Sequence, residues 1–174
     1  DFRMLAQTFF GLEGVLAEEL KSIGARDVKE LNRAVSFRGD LGFMYKANFR
    51  LQTALNILYP VETFTFYNED KFYKKVNHIE WEKYFGLEKT FRVQAVTNRS
   101  SLSHSHYAAL LCKDAIVDRY REKFDHQRPN VDSKNPDISI FLHIDGDKAS
   151  LYLNSSGAPL FKRGYKTEHH EAPI

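Results

Sequence analysis

Hydrophobic positions change their period several times along this chain, and each change marks an element. FRMLAQTFF, residues 2–10, is dense in Phe and Leu and reads as a strand. GLEGVLAEELKSIGA then moves to helical spacing. Leu12, Val15, Leu16, Leu20 and Ile23 share one face, and Gly24 is a suitable stop. DVKELNRAVSFRG reads as a hairpin, or as a strand with a turn, at Asn32-Arg33. Asp40 is placed to cap a second helix, in which Leu41, Met44, Tyr45, Leu51, Leu55 and Leu58 keep the period as far as Pro60. This alternation predicts a small two-layer α/β unit.

A second unit is expected after Pro60. VETFTFYN alternates like a strand, and EDKFYKKVNHIEWEKYFG is helical with a break near Asn77-His78. TFRVQAVTNRS is a strand that runs into a polar loop, and HYAALLCKDAIVDRYREKF is the clearest helix. On a helical wheel Ala109, Cys112, Ile116, Val117, Tyr120 and Phe124 form one broad face. Lys113 falls inside it, and Asp114, Asp118, Arg121 and Glu122 point to solvent. After the proline-containing loop HQRPNVDSKNPD, the strand ISIFLHID and the strand KASLYLN form a hairpin around Asp145-Gly146. The fold class expected is α+β in two small domains.

Composition narrows the function only a little. A chain of 174 residues with 43% apolar and 28% charged side chains is an ordinary globular protein, and its 14 Phe and 9 Tyr argue against disorder. The formal net charge of +2 does not by itself identify a nucleic-acid binder, so any electrostatic footprint must come from local clusters. Cys112 is the only cysteine, which excludes an intramolecular disulfide and suits a reducing, cytoplasmic compartment. No apolar run approaches the ~20 residues of a membrane span, and the N-terminus has no signal-peptide pattern. With no initiator Met and a basic, aromatic end, the chain is expected to be part of a longer protein.

Candidate chemistry lies in three clusters. Arg99, the 100–106 loop with Ser103 or Ser105 as helix cap, and Lys113 would suit a phosphate, because a helix N-terminus offers free N–H groups and the positive end of its dipole. Lys113 on an apolar stripe has three explanations: it reaches the rim, pairs with a buried carboxylate, or lines a groove and meets a ligand anion. Arg128, Asn130 and Lys134 form the second cluster, on a loop stiffened by Pro129 and Pro136. The third is LFKRGYK, where Lys162, Arg163 and Lys166 carry charge and Phe161 and Tyr165 can stack on bases. The bland alternatives are a plain helix cap, a punctuating loop and a strand with one charged face. His104 with His106, and His169 with His170, raise a metal-dependent enzyme as another class. Neither pair reaches the three or four converging ligands a metal needs, so no metal is expected. No glycine-rich phosphate loop, nucleophile elbow or zincin motif occurs, and no catalytic residue can be named.

In order, GLEGVLAEELKSIGA, HYAALLCKDAIVDRYREKF, RPNVD, PDISIFLHI, ASLYLNSSG, LFKRGY and EAPI resemble one family. They are similar to the N-terminal half of the bacterial 23S ribosomal RNA guanine-N2 methyltransferases that carry a THUMP domain. The resemblance implies a ferredoxin-like domain over residues 1–60 and a THUMP RNA-binding domain over 61–155. Residues 156–174 would connect toward a methyltransferase domain outside this chain. It implies structured RNA, that is 23S rRNA, as partner, with S-adenosylmethionine bound by the domain outside this chain. Lys113, Asp114, Arg128, Pro129, Asn130, Asp132, Lys162, Arg163 and Gly164 match positions of the family pattern. A THUMP module of a tRNA-modifying enzyme, for methylation or thiolation, is the closest alternative.

Overall fold

The computed structural model describes residues 1–155. The described residues divide into two compact units, the first comprising 1–60 with a return at 154–155 and the second comprising 61–153.

The first unit runs β1 (Phe2–Gln7), α1 (Glu13–Ser22), β2 (Arg26–Leu31), β3 (Ala34–Gly39), α2 (Leu41–Arg50) and the opening half of β4 (Asn56–Thr65). Its strand order is β2-β3-β1-β4, and neighbouring strands are antiparallel. This is the split βαβ arrangement of a ferredoxin-like fold. Met4, Ala6, Val35, Phe37 and Ile57 from the strands are buried with Leu16, Ala17 and Leu20 of α1 and Met44 and Ala47 of α2. The helix stop predicted at Gly24 is a full C-terminal cap: Gly24 has φ +105, its N–H donates to the Lys21 carbonyl, and the Ala25 N–H donates to the Leu20 carbonyl. Glu13 fastens the other end of α1. One carboxylate oxygen accepts from the Gly11 N–H and the other from the Arg33 N–H, both at 2.8 Å. These backbone donors hold the Glu13 carboxyl below its usual range.

The second helix is shorter than its periodicity predicts. Asp40 caps it as expected, its Oδ1 accepting from the Phe43 N–H at 2.8 Å. The helix stops at Arg50, however, and Leu55 and Leu58 belong to the approach and body of β4. Glu19 Oε1 accepts from the N–H groups of Gln52 and Thr53 and from the Thr53 hydroxyl, so the chain leaves the helix with its donors satisfied. It then covers the open edge of β1, with Leu5 opposite Leu58 and Gln7 opposite Asn56. Beyond the second unit the chain returns to β4, and the Ser155 N–H and hydroxyl both donate to the Ile57 carbonyl.

The second unit continues from β4 through α3 (Glu69–Asn77), a 3-10 turn at Trp81–Lys83, β5 (Phe91–Asn98), α4 (Ser105–Lys123), β6 (Ile138–Asp145) and β7 (Lys148–Asn154). The break expected near Asn77-His78 is where α3 ends. Strand order here is β4-β7-β6-β5. β5 and β6 are parallel with α4 as their crossover, while β6 and β7 form an antiparallel hairpin. Gly146, at φ +66, supplies the left-handed residue of that turn.

Alternate residues of these strands point at the helices. Phe91, Ile138, Ile140, Leu142, Ile144, Ala149, Leu151 and Leu153 are all buried, together with Ala108, Cys112, Ala115, Ile116, Val117 and Tyr120 of α4. The buried face of α4 is therefore rotated from the expected one. Ala109 is half-buried, and Phe124 is exposed. Asp118, expected to face solvent, accepts a hydrogen bond from the Tyr73 hydroxyl of α3. The cause is that α4 packs on two neighbours, the sheet and α3, where a single wheel allows for one. Among the described residues no helix is long and apolar enough to cross a membrane.

Candidate nucleic-acid interface

The loop after β5 is built from short polar residues around one apolar anchor. Leu102 is buried, and the Ser100 hydroxyl accepts from its N–H. Ser103 does not cap α4. The N-cap is His104, whose side chain makes no capping bond, while the Ser103 carbonyl accepts from the Thr97 hydroxyl. Ser105, the other cap expected, is the first residue of the helix. Arg99 sits at φ +53 and its Nη2 lies 2.9 Å from Asp145 Oδ1. The Gly146 N–H donates to the Asn98 carbonyl beside this pair. Each partner favours the charged form of the other, raising Arg99 and lowering Asp145, in an exposed setting.

Lys113 does not join this loop. It lies eight residues into α4 from Ser105, about 12 Å along the axis at 1.5 Å per residue. Its Nζ contacts Asp114 Oδ1 at 2.6 Å, with 26% of the side chain exposed. The Asp114 side chain is half exposed, so this is a contact at the rim of the stripe and not the pairing with a buried carboxylate that was one of the three explanations. The expected anion site of Arg99, the 100–106 loop and Lys113 is therefore not assembled as a single cluster.

Arg128, Asn130 and Lys134 lie on the loop at the other end of β5. The Phe91 N–H donates to the Asn130 carbonyl and the Asp132 N–H donates to the Phe91 carbonyl, so this loop runs beside the start of β5. Arg92 ties it down through Nη1 to the Ser133 carbonyl at 2.9 Å. Asp132 turns inward on its own loop and accepts from the N–H groups of Lys134 and Asn135, which lower its pKa. Arg99 and the 128–134 loop are separated by the length of β5, about 23 Å at 3.3 Å per residue. Phe161, Lys162, Arg163, Tyr165 and Lys166 lie outside the described residues.

Linear reading missed the sheet face between those two ends. Opposite the buried positions, Gln94, Val96, Ser139, Phe141, His143, Ser150, Tyr152 and Thr63 face away from α3 and α4. Phe141 and Tyr152 are register partners, with ring centroids 6.3 Å apart. The outward positions of ISIFLHID and KASLYLN held the signal, because an outward position on a one-sided strand is normally polar. The histidines give no metal centre within this region, and no three His, Cys, Asp or Glu side chains converge among the described residues. His104 and His106 are exposed, and His169 and His170 fall outside the described residues.

Comparison with known proteins places this geometry. Residues 3–58 match the RlmL ferredoxin-like domain and residues 66–154 match the THUMP domain. The chain is 42% identical over 164 residues to "Ribosomal RNA large subunit methyltransferase K/L" of Syntrophotalea carbinolica, covering 94% of this chain and 23% of that protein. A solved structure described as a predicted N6-adenine-specific DNA methylase, from Listeria monocytogenes, superposes with a TM-score of 0.73 at 29% identity, over 99% of this chain and 45% of the other. SMU.472, a putative methyltransferase complexed with SAH, superposes at 0.72 and 27% identity, over 95% of this chain and 44% of the other. The chain thus spans less than half the length of each of these relatives. With one model covering more than half of its length and a second covering the unit before it, the chain belongs to the THUMP-domain family and carries that domain behind an RlmL ferredoxin-like domain.

Proposed function

We propose that this chain is the RNA-recognition part of an S-adenosylmethionine-dependent methyltransferase acting on guanine N2 of 23S ribosomal RNA. The observation that carries the reading is the pairing of the two domains, in order, with 42% identity over nearly the whole chain to a large-subunit ribosomal RNA methyltransferase. The chain's own residues would grip phosphates and RNA shape and hold a nucleotide for flipping toward the catalytic part. The described residues do not fit S-adenosylmethionine. The cleft in the second unit is lined by Glu62, His78, Glu80, Lys83, Tyr84 and Arg119 and has no glycine-rich cradle, and no step through that group is derived from the described residues.

Fluorescence anisotropy with a labelled 23S rRNA hairpin, a tRNA and a DNA duplex, each at two salt concentrations, tests the reading. The hairpin should bind best, with a salt slope that grows by about 0.7–0.9 for each phosphate contacted. Arg99→Ala should weaken all RNA binding modestly and flatten that slope by about one contact. Preference for tRNA would remove the ribosomal assignment, and preference for DNA would remove the RNA assignment.

A further inference from the structure

The sheet face of the second unit that points away from α3 and α4 carries two half-buried aromatic rings, Phe141 and Tyr152, among neutral polar neighbours. A pair of aromatic register partners does support a sheet. Such a pair would usually be set among charged, solvated neighbours, and this one is not. Phe141 and Tyr152 are flanked by Gln94, Val96, Ser139, His143, Ser150 and Thr63. Val96 is 47% exposed. The patch offers amide, hydroxyl and imidazole groups and no carboxylate. Asp145 is the acid on this face, at its far end, where Arg99 pairs with it and Lys148 stands opposite in the register. At the near end stand Arg92 and the loop that carries Arg128 and Lys134, together with Asp132 and Asp137, whose carboxylates accept from the backbone N–H groups of Lys134, Asn135 and Thr90. A polyanion crossing from one end to the other meets cations at both ends and no unpaired acid between them.

We propose that this face is a stacking platform for unpaired RNA bases, with Phe141 and Tyr152 beneath the bases. Gln94, Ser139, His143 and Ser150 would stand within the patch as groups for the base edges. The proposal rests on the RNA-binding reading above and adds where the strand lies and which state of RNA it takes. Aromatic side chains on an open sheet stack bases that are not already stacked in a helix, and duplex RNA keeps its bases out of reach. The apolar area of two rings and a valine is small for a stable protein interface, which needs about 800 Å² on each partner. It is the right kind of surface for bases, whose phosphates are satisfied by the cations at the ends.

The test uses the 174-residue chain and two RNA probes, a single strand with 2-aminopurine at its centre and a hairpin that pairs the same nucleotides. Phe141→Leu and Tyr152→Leu keep an apolar side chain and remove the ring, and Tyr152→Phe keeps the ring. Each leucine variant should weaken the single strand about tenfold and relieve the quenching of 2-aminopurine, whereas Tyr152→Phe retains both. Binding of the paired probe should change less than about twofold in all three variants. A second measurement needs no variant: photo-crosslinking of a 5-iodouridine strand to the wild-type chain should map to the β6–β7 hairpin. Crosslinks elsewhere, or leucine variants with wild-type affinity and quenching, would overturn the platform and leave RNA binding by this chain intact. Failure of the wild-type chain to bind either probe would overturn both.

Discussion

Glu82 should hold the second unit together in a way that acid removes and neutral pH restores. Its carboxylate receives two hydrogen bonds from Arg119, Nε to Oε1 and Nη2 to Oε2, both at 2.8 Å. The remaining nitrogen of Arg119 donates to the carbonyls of Asn77 and His78, where α3 ends. One guanidinium therefore ties together α4, the 3-10 turn and the end of α3. Only 12% of the Arg119 side chain and 18% of the Glu82 side chain are exposed. The hydrogen bonds from Arg119 lower the Glu82 pKa from 4.5 to about 2, against an opposing effect of burial. Because the folded value lies below the unfolded one, the unfolded chain takes up the proton first as pH falls. The stabilisation is fully present above about pH 5 and is lost as pH falls toward 2. A shift of this size corresponds to roughly 3 kcal/mol at pH 7 and about 1 kcal/mol near pH 2.5.

Glu82→Gln removes the charge and keeps the shape. The chain has a single tryptophan, Trp81, which is fully buried beside Glu82 and reports this unit directly. Urea unfolding of both proteins, followed by Trp81 emission from pH 7 to pH 2.5, should show the variant less stable by roughly 3 kcal/mol at neutral pH. The gap should close to about 1 kcal/mol at the acid end, because other carboxyl groups titrate alike in both proteins and cancel. A gap that stays constant across this range would refute the pair as the source of the shift. A gap that widens in acid would mean the sign is wrong.

Two further changes probe single contacts. Tyr120→Phe removes a buried hydroxyl that donates to the Phe85 carbonyl at 2.6 Å, and should cost about 1–2 kcal/mol in the same Trp81-monitored unfolding, with a loss near zero counting against this bond. Asp40→Ala removes the cap of α2 and should cost about 1 kcal/mol, seen as faster hydrogen exchange confined to residues 41–50, and exchange unchanged there would show that the cap is dispensable.

What the sequence made legible was set by short-range chemistry. Gly24, Asp40, the Asn32-Arg33 turn and the β6–β7 turn each act within a few residues, and each lies where its type predicts. The end of α2 does not follow from such rules. Leu51, Leu55 and Leu58 satisfy a helical period, while Leu55, Ile57 and Tyr59 satisfy a strand period equally well. The choice is made by the open edge of β1, some 50 residues earlier, which needs a partner. The candidate surface was obscured for a related reason. Grouping residues by sequence joined Arg99 to Lys113, but the parallel crossover sends α4 back along β5, so each turn of that helix moves away from Arg99. The same crossover brings Asn98 beside Gly146 and places the 128–134 loop at Phe91. Phe141 and Tyr152 become neighbours only when the hairpin register is known, because a shift of one residue would turn one ring into the core. Local composition could reveal cations, but which of them border a common surface is decided by strand pairing.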